Sequence, residues 1–179
     1  VVNIIDDPDG YTVHRWPRYG TRIRWIIVHD PAADRARPEA ILRVLRRNST
    51  GASYNELIYR PTGGGEPESH VLSDPSEYVG HAGAQTRIPK TAVRNGAVNR
   101  TTWGLSVCTY GRSIERTDPD LWDGLVRLIA HRIRQFELPD AGVALAHREV
   151  STTPGRRTDP RGISMDYLRA AVAERLAQS

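Results

Sequence analysis

Trp25-Ile26-Ile27-Val28-His29 decides the fold. From Arg22 the pattern alternates and then becomes continuously apolar, as a strand does when it enters a sheet covered on both faces. The run ends on an imidazole. A second apolar run, Gly142-Val143-Ala144-Leu145-Ala146, also ends on a histidine, His147, and leads into the turn-rich stretch Pro154-Gly155-Arg156-Arg157-Thr158-Asp159-Pro160. If the two strands are parallel neighbours, both imidazoles emerge on one rim, because functional groups in open α/β sheets collect at the carboxyl ends of strands. Asp159 needs only a short excursion through Pro154-Gly155 to join them. Two His and one carboxylate would leave a tetrahedral zinc ion one open position, the arrangement of a hydrolytic site, where the metal lowers the pKa of water to about 7. The bland readings are a turn former for Asp159-Pro160 and a surface histidine for His147. Placement at strand ends is what favours a metal.

Working outward, Pro38 opens a helix whose stripe is Ile41, Leu42, Val44 and Leu45, set against Arg43, Arg46 and Arg47. Residues 53 to 59 read as a strand that runs into the turn Pro61-Thr62-Gly63-Gly64-Gly65. The polar stretch from Glu66 to Thr102 is expected to be loop and short strand, and a loop that long usually carries function. Trp103 to Thr109 is another strand. Asp118-Pro119 starts the clearest helix, with Leu121, Leu125, Leu128, Ile129, Ile133 and Phe136 on the core face and Arg127, Arg132 and Arg134 facing away. A last amphipathic helix runs through Met165, Leu168, Val172 and Leu176. Strands alternating with helices imply an α/β fold, a central mixed sheet flanked by helices.

With 39% hydrophobic and 26% charged residues, the 179-residue chain has the composition of a globular protein and not of a disordered one. No Gly/Ser- or Pro-rich linker divides it, so residues 1–179 are expected to form a single domain with its core over about 20–175. No apolar run approaches the roughly 20 residues needed for membrane insertion. Cys108 stands alone, which excludes a disulfide framework and a multi-cysteine zinc site. The net charge of +4 favours acidic partners. Its arginines are spread along the chain and not interleaved with aromatics, so nucleic acid is not expected among them.

Val28-His29, Ser53-Tyr54-Asn55, Gly80-His81-Ala82-Gly83, Asn99 with Trp103-Gly104-Leu105, and His147 followed by the Pro154–Pro160 stretch resemble, in that order, the zinc N-acetylmuramoyl-L-alanine amidases of the phage-lysozyme and peptidoglycan-recognition-protein type. The resemblance implies a peptidoglycan-recognition-protein-like fold and a groove for the muramyl-peptide of the bacterial cell wall. It implies one Zn²⁺ held by His29, His147 and Asp159. Tyr54 matches the tyrosine that assists the zinc-bound water in phage-type members, and its alternative is a strand aromatic in the core. Other members place a glutamate on the strand spanning Leu105 to Cys108. Here the match is Ser106, which cannot serve as a comparable base and shifts the burden to Tyr54. Arg157 stands where many catalytic members carry a lysine. It can stabilise an oxyanion but does not readily give up a proton. His81 is similar to the family's groove-lining histidine and Asn99 to a substrate-contacting asparagine, against the alternatives of a structural histidine and a turn former. His14, His70 and His131 gain no role, Arg156 reads as a solvated loop arginine, and His131 is expected to be exposed.

The implied reaction is hydrolysis of the amide between N-acetylmuramic acid and L-alanine. The N-terminus shows no signal-peptide pattern, so the expected setting is a monomeric catalytic domain of a phage endolysin, compatible with a longer modular chain. It would be made in the host cytoplasm and act on the wall. The rival is a peptidoglycan-binding module that does not cut, kept open by Arg157 and Ser106.

Overall fold

The computed structural model describes residues 2–6, 15–31, 37–46, 53–155 and 157–178. His14, Arg47 and Arg156 lie outside them. In chain order the elements are β1 (Asn3–Asp6), β2 (Arg15–Pro17), β3 (Trp25–His29), α1 (Pro38–Arg46), β4 (Glu56–Tyr59), β5 (Glu68–Val71), β6 (Glu77–Val79), α2 (Gly96–Thr101), β7 (Thr102–Val107), α3 (Ile114–Thr117), α4 (Pro119–Gln135), β8 (Ala144–Ala146), α5 (His147–Val150) and α6 (Met165–Ala177). A single 3₁₀ turn, Ala141–Val143, leads into β8.

Six strands form one mixed sheet in the order β1-β5-β4-β7-β3-β8. β3 lies between β7 and β8 and is parallel to both, β4 is parallel to β7, and β4 and β5 form an antiparallel hairpin. The glycine turn after residue 60 closes that hairpin, as its composition predicts. Strand pleating then divides the core. Ile26, Val28, Ile58, Trp103, Leu105 and Val107 pack with α4 and α6 on one face, while Leu57 and Tyr59 meet α1 and Ile27 meets the 82–98 segment on the other. By the same alternation Thr102, Gly104, Ser106 and His29 belong to the second face. Among the described residues no helix is long and apolar enough to cross a membrane.

Several helix boundaries follow from local chemistry. Asp118 caps α4 by accepting from Leu121 N–H, with Pro119 at its first position, and Ser164 caps α6 through Tyr167 N–H. Other elements depart from expectation. Asn3–Asp6, outside the core span expected from about residue 20, forms an edge strand parallel to β5, and Arg15–Pro17 pairs with β6 in a separate ribbon. The polar stretch from 66 to 102 contains α2 as well as two strands. Val44 is 66% exposed, so the expected apolar stripe of α1 reduces to Ile41, Leu42 and Leu45.

Arg132 is the clearest correction. It was expected to face away from the core with Arg127 and Arg134, yet it is 5% exposed. Its Nε and Nη2 donate to Glu56 Oε2 and Oε1 at 2.8 and 2.7 Å, and its guanidinium lies over the Trp103 ring. Glu56, fully buried in β4, also accepts from Ser69 Oγ and Trp103 Nε1. A charged side chain enters a core this way only when a partner and hydrogen bonds compensate it.

Candidate metal centre

Register brings the two histidines together. Val28 pairs with Ala146, so the next residue on each parallel strand is His29 or His147, level with one another at the same rim. Their rings sit edge to face with centroids 4.4 Å apart. Asp159 arrives on a loop that Arg148 fastens: Arg148 N–H donates to Asp159 O, and its guanidinium donates to the carbonyls of Pro160 and Ile163. Asp159 Oδ2 then lies 3.0 Å from His29 Nδ1 and 3.1 Å from His147 Nδ1. The ligand atoms of the three residues all fall within 4.8 Å of one another.

The donor chemistry fits a metal. His147 Nε2 lies 2.9 Å from Ala82 O, and a carbonyl only accepts, so the ring carries its proton on Nε2 and presents a lone pair at Nδ1. A carboxylate oxygen 3.1 Å from that lone pair repels it unless a cation or a second proton sits between them. Burial pushes His29 down to about 4, more than the neighbouring Asp159 raises it, so its ring is neutral and able to ligate at pH 7. Partial burial opposes ionisation of Asp159, but the adjacent His147 and His29 outweigh it and hold the carboxyl well below the usual carboxylate range. Two imidazoles and a carboxylate match a zinc site with one position left for water.

Tyr54 and Arg157 stand at the same rim. The Tyr54 ring is half-buried and tilted against His29 with centroids 5.2 Å apart. Its neighbour Asn55, fully buried, fixes it there by exchanging hydrogen bonds with Gly104 through both backbone and side chain. Burial and the Asp159 charge push the Tyr54 hydroxyl well above its ordinary range. Ser106 pairs in register with His29, and its buried hydroxyl faces Tyr54 without a hydrogen bond of good geometry. Arg157 lies against Gly83, where a Cβ would come within 2.8 Å of Nη2 and where φ is +71°. Glycine therefore answers both demands. Arg157 Nε is buried and has no hydrogen-bond partner among the described residues.

His81 and Asn99 are both buried next to the ligands. His81 is 6% exposed, with Nδ1 3.1 Å from His29 Nε2 and Nε2 2.9 Å from Thr102 Oγ1. Asn99 is 9% exposed and its Oδ1 accepts from Ala82 N–H, the residue whose carbonyl holds His147. His81 thus contacts His29 directly, and Asn99 reaches His147 through Ala82. Arg18 anchors this region in turn, its buried guanidinium donating to the carbonyls of Pro75, Asn99, Arg100 and Thr102. Nothing in the sequence pattern marked Arg18 or Thr102. His131 is exposed, as expected.

No curated protein matches the sequence. Among solved structures, a mutant endolysin from Bacillus subtilis is similar with a TM-score of 0.62 and 22% identity, over 96% of this chain and 99% of that one. The Staphylococcus aureus hydrolase AmiA in complex with its ligand is similar with a TM-score of 0.70 and 16% identity, over 98% and 83%. The N-acetylmuramoyl-L-alanine amidase LysC from Clostridium intestinale is similar with a TM-score of 0.57 and 15% identity, over 94% and 95%. These likenesses share the mixed sheet and its flanking helices. The sequence pattern of the amidase 2 family, described as N-acetylmuramoyl-L-alanine amidase, matches residues 19–162, a span that contains His29, Tyr54, His147 and Asp159, and the chain belongs to that family of enzymes.

Proposed function

We propose that this protein is a zinc-dependent amidase that hydrolyses the bond between the lactyl group of N-acetylmuramic acid and L-alanine in peptidoglycan, as the single catalytic domain of an endolysin. The observation that carries the reading is the convergence of His29 Nδ1, His147 Nδ1 and Asp159 Oδ2 on one rim in a chain of the amidase family. The fold shared with a Bacillus subtilis endolysin supports the wall as its place of action. Zinc held by these three residues would supply Lewis acidity toward water and the scissile carbonyl.

The remaining work falls to the chain's own groups. Tyr54 keeps its proton at neutral pH because its hydroxyl is buried beside Asp159, so it holds the attacking water by hydrogen bonding and does not act as a base. Arg157, with an unpaired Nε at the rim, donates to the oxyanion as charge develops on the carbonyl oxygen. Ser106 adds no base.

The test is a defined muramyl-peptide incubated with the purified protein and read by mass spectrometry, with chelator and with zinc added back. Release of an intact stem peptide with a free N-terminal alanine, lost to chelator and restored by zinc, is the expected result. Stoichiometric metal without cleavage would point to a recognition module instead.

A further inference from the structure

We infer that His81 is a positioning residue for the metal centre, which together with Thr102 sets the tautomer of the His29 ring. The argument rests on the zinc reading above and runs along a chain of buried atoms. Thr102 Oγ1 lies 2.7 Å from Val98 O, a carbonyl that can only accept, so the threonine proton points there. The hydroxyl then has only lone pairs to offer His81 Nε2, 2.9 Å away, and the His81 ring must carry its proton on that nitrogen. Its Nδ1 is left as an acceptor, 3.1 Å from His29 Nε2, which must donate. One proton per ring is then accounted for, and His29 Nδ1 keeps its lone pair on the side of His147 and Asp159.

Other features single out this arrangement as built for that task. Gly104 lies directly under the His81 ring, where a Cβ would be 2.4 Å from its Cγ, so the strand has given up a side chain to seat the imidazole against the sheet. Thr102 and Gly104 share one face of β7, one supplying the anchor and the other the room. The next residue, Ala82, does for His147 through its carbonyl what His81 does for His29 through its ring, and Asn99 Oδ1 holds Ala82 by its N–H. Two adjacent residues thus fix both imidazole ligands. Outer partners of this kind orient a ligand and raise its basicity, and their loss typically weakens metal binding by about 10–100-fold.

The experiment measures zinc affinity of the full chain by competition with a chromophoric chelator, for the parent, His81→Ala, Thr102→Val and Thr102→Ser. The variants His81→Ala and Thr102→Val are expected to bind zinc about 10–100-fold more weakly, and Thr102→Ser, which keeps the hydroxyl, to return to the parent value. Long-range ¹⁵N–¹H imidazole spectra of the zinc-loaded parent should place the His81 proton on Nε2. Should His81→Ala fail to fold, the near-isosteric valine and serine variants decide. Unchanged affinity in Thr102→Val, or a His81 proton on Nδ1, would overturn the inference while leaving the zinc site intact. A parent protein that binds no zinc would instead remove the zinc reading, and this inference with it.

Discussion

One sheet carries two buried polar networks, on opposite faces, and they differ in how completely they are satisfied. On the face covered by α4, Glu56 receives four donors: Ser69 Oγ, Trp103 Nε1 and two guanidinium nitrogens of Arg132. Charge is balanced and both carboxylate oxygens are occupied. On the other face the ligand atoms of His29, His147 and Asp159 crowd together, while Arg157 Nε and Ser106 Oγ are buried without hydrogen-bond partners among the described residues. Burial does not separate them, since Glu56 and His29 are equally inaccessible. What separates them is the incompleteness of the second, and buried polar groups left unsatisfied are costly unless something else completes them.

The sharpest way to break that comparison is to remove one member from each side. His147→Ala is expected to lose bound zinc and reduce amide hydrolysis to background, with the fold retained by circular dichroism; full activity without metal would sink the zinc assignment. Glu56→Ala should do the reverse. It leaves Arg132 buried and unpaired, and breaking a buried pair costs roughly 3–5 kcal/mol, read as a fall in the urea midpoint. Zinc affinity of the molecules still folded should not move. Loss of zinc binding in a folded Glu56→Ala would mean that the two faces are coupled through the sheet.

Arg157→Ala and Tyr54→Phe probe the unfinished face without touching a ligand. Removing an oxyanion donor typically costs about 10²–10³ in kcat, and Arg157→Ala should fall in that range with zinc still bound. Tyr54→Phe should also slow turnover while sparing zinc. Unchanged turnover would return Tyr54 to the apolar cluster beside Cys108, against which its ring already packs.

The unfinished network was more legible in the sequence than the finished one, for a physical reason. His29 and His147 end apolar runs, and a strand's period and its end can be read from residue type alone. Their registration then followed from β3 and β8 being parallel neighbours. Glu56 and Arg132, by contrast, are charged residues whose default is solvent, and only the approach of α4 to β4 makes them a pair. The buried contacts of His81, Asn99 and Thr102 were hidden similarly. Their role depends on α2, a six-residue helix with no side-chain cap and only Val98 and Asn99 buried, too short to show a period. The threonine, glycine and serine at 102, 104 and 106 do alternate on one face of β7, but small residues in a strand do not announce what they make room for.

A smaller effect separates the faces by pH in the metal-free protein. His29 is held down to about 4 and His81 well below its ordinary value, both chiefly by burial. As pH falls from about 6.5 toward 4, the unfolded chain binds protons on these histidines that the folded chain refuses, so stability declines across that window. Asp159 adds to the decline at lower pH, since a carboxyl depressed in the folded state contributes stability above its ordinary value and loses it as pH drops. The urea midpoint of the chelator-treated protein should therefore fall between pH 6.5 and 4. A flat profile there would show that the rings accept protons in place, and the account of His29 as a neutral ligand would fail.

The smallest expected effect tests the comparison most directly, because Ser106 belongs by position to the catalytic face and by chemistry to neither network. It stands in register with His29 and beside Tyr54, yet its hydroxyl has no well-formed partner. A buried hydroxyl left unpaired costs about 1–3 kcal/mol, part of which Ser106→Ala should recover as a higher urea midpoint. If incompleteness marks function only where the unpaired group faces substrate or metal, kcat should stay within about twofold of the parent, a change of a few tenths of a kcal/mol. A loss as large as that of Tyr54→Phe would mean that the serine aligns the phenol, and the open valence at Ser106 would then belong to catalysis and not to a flaw in packing.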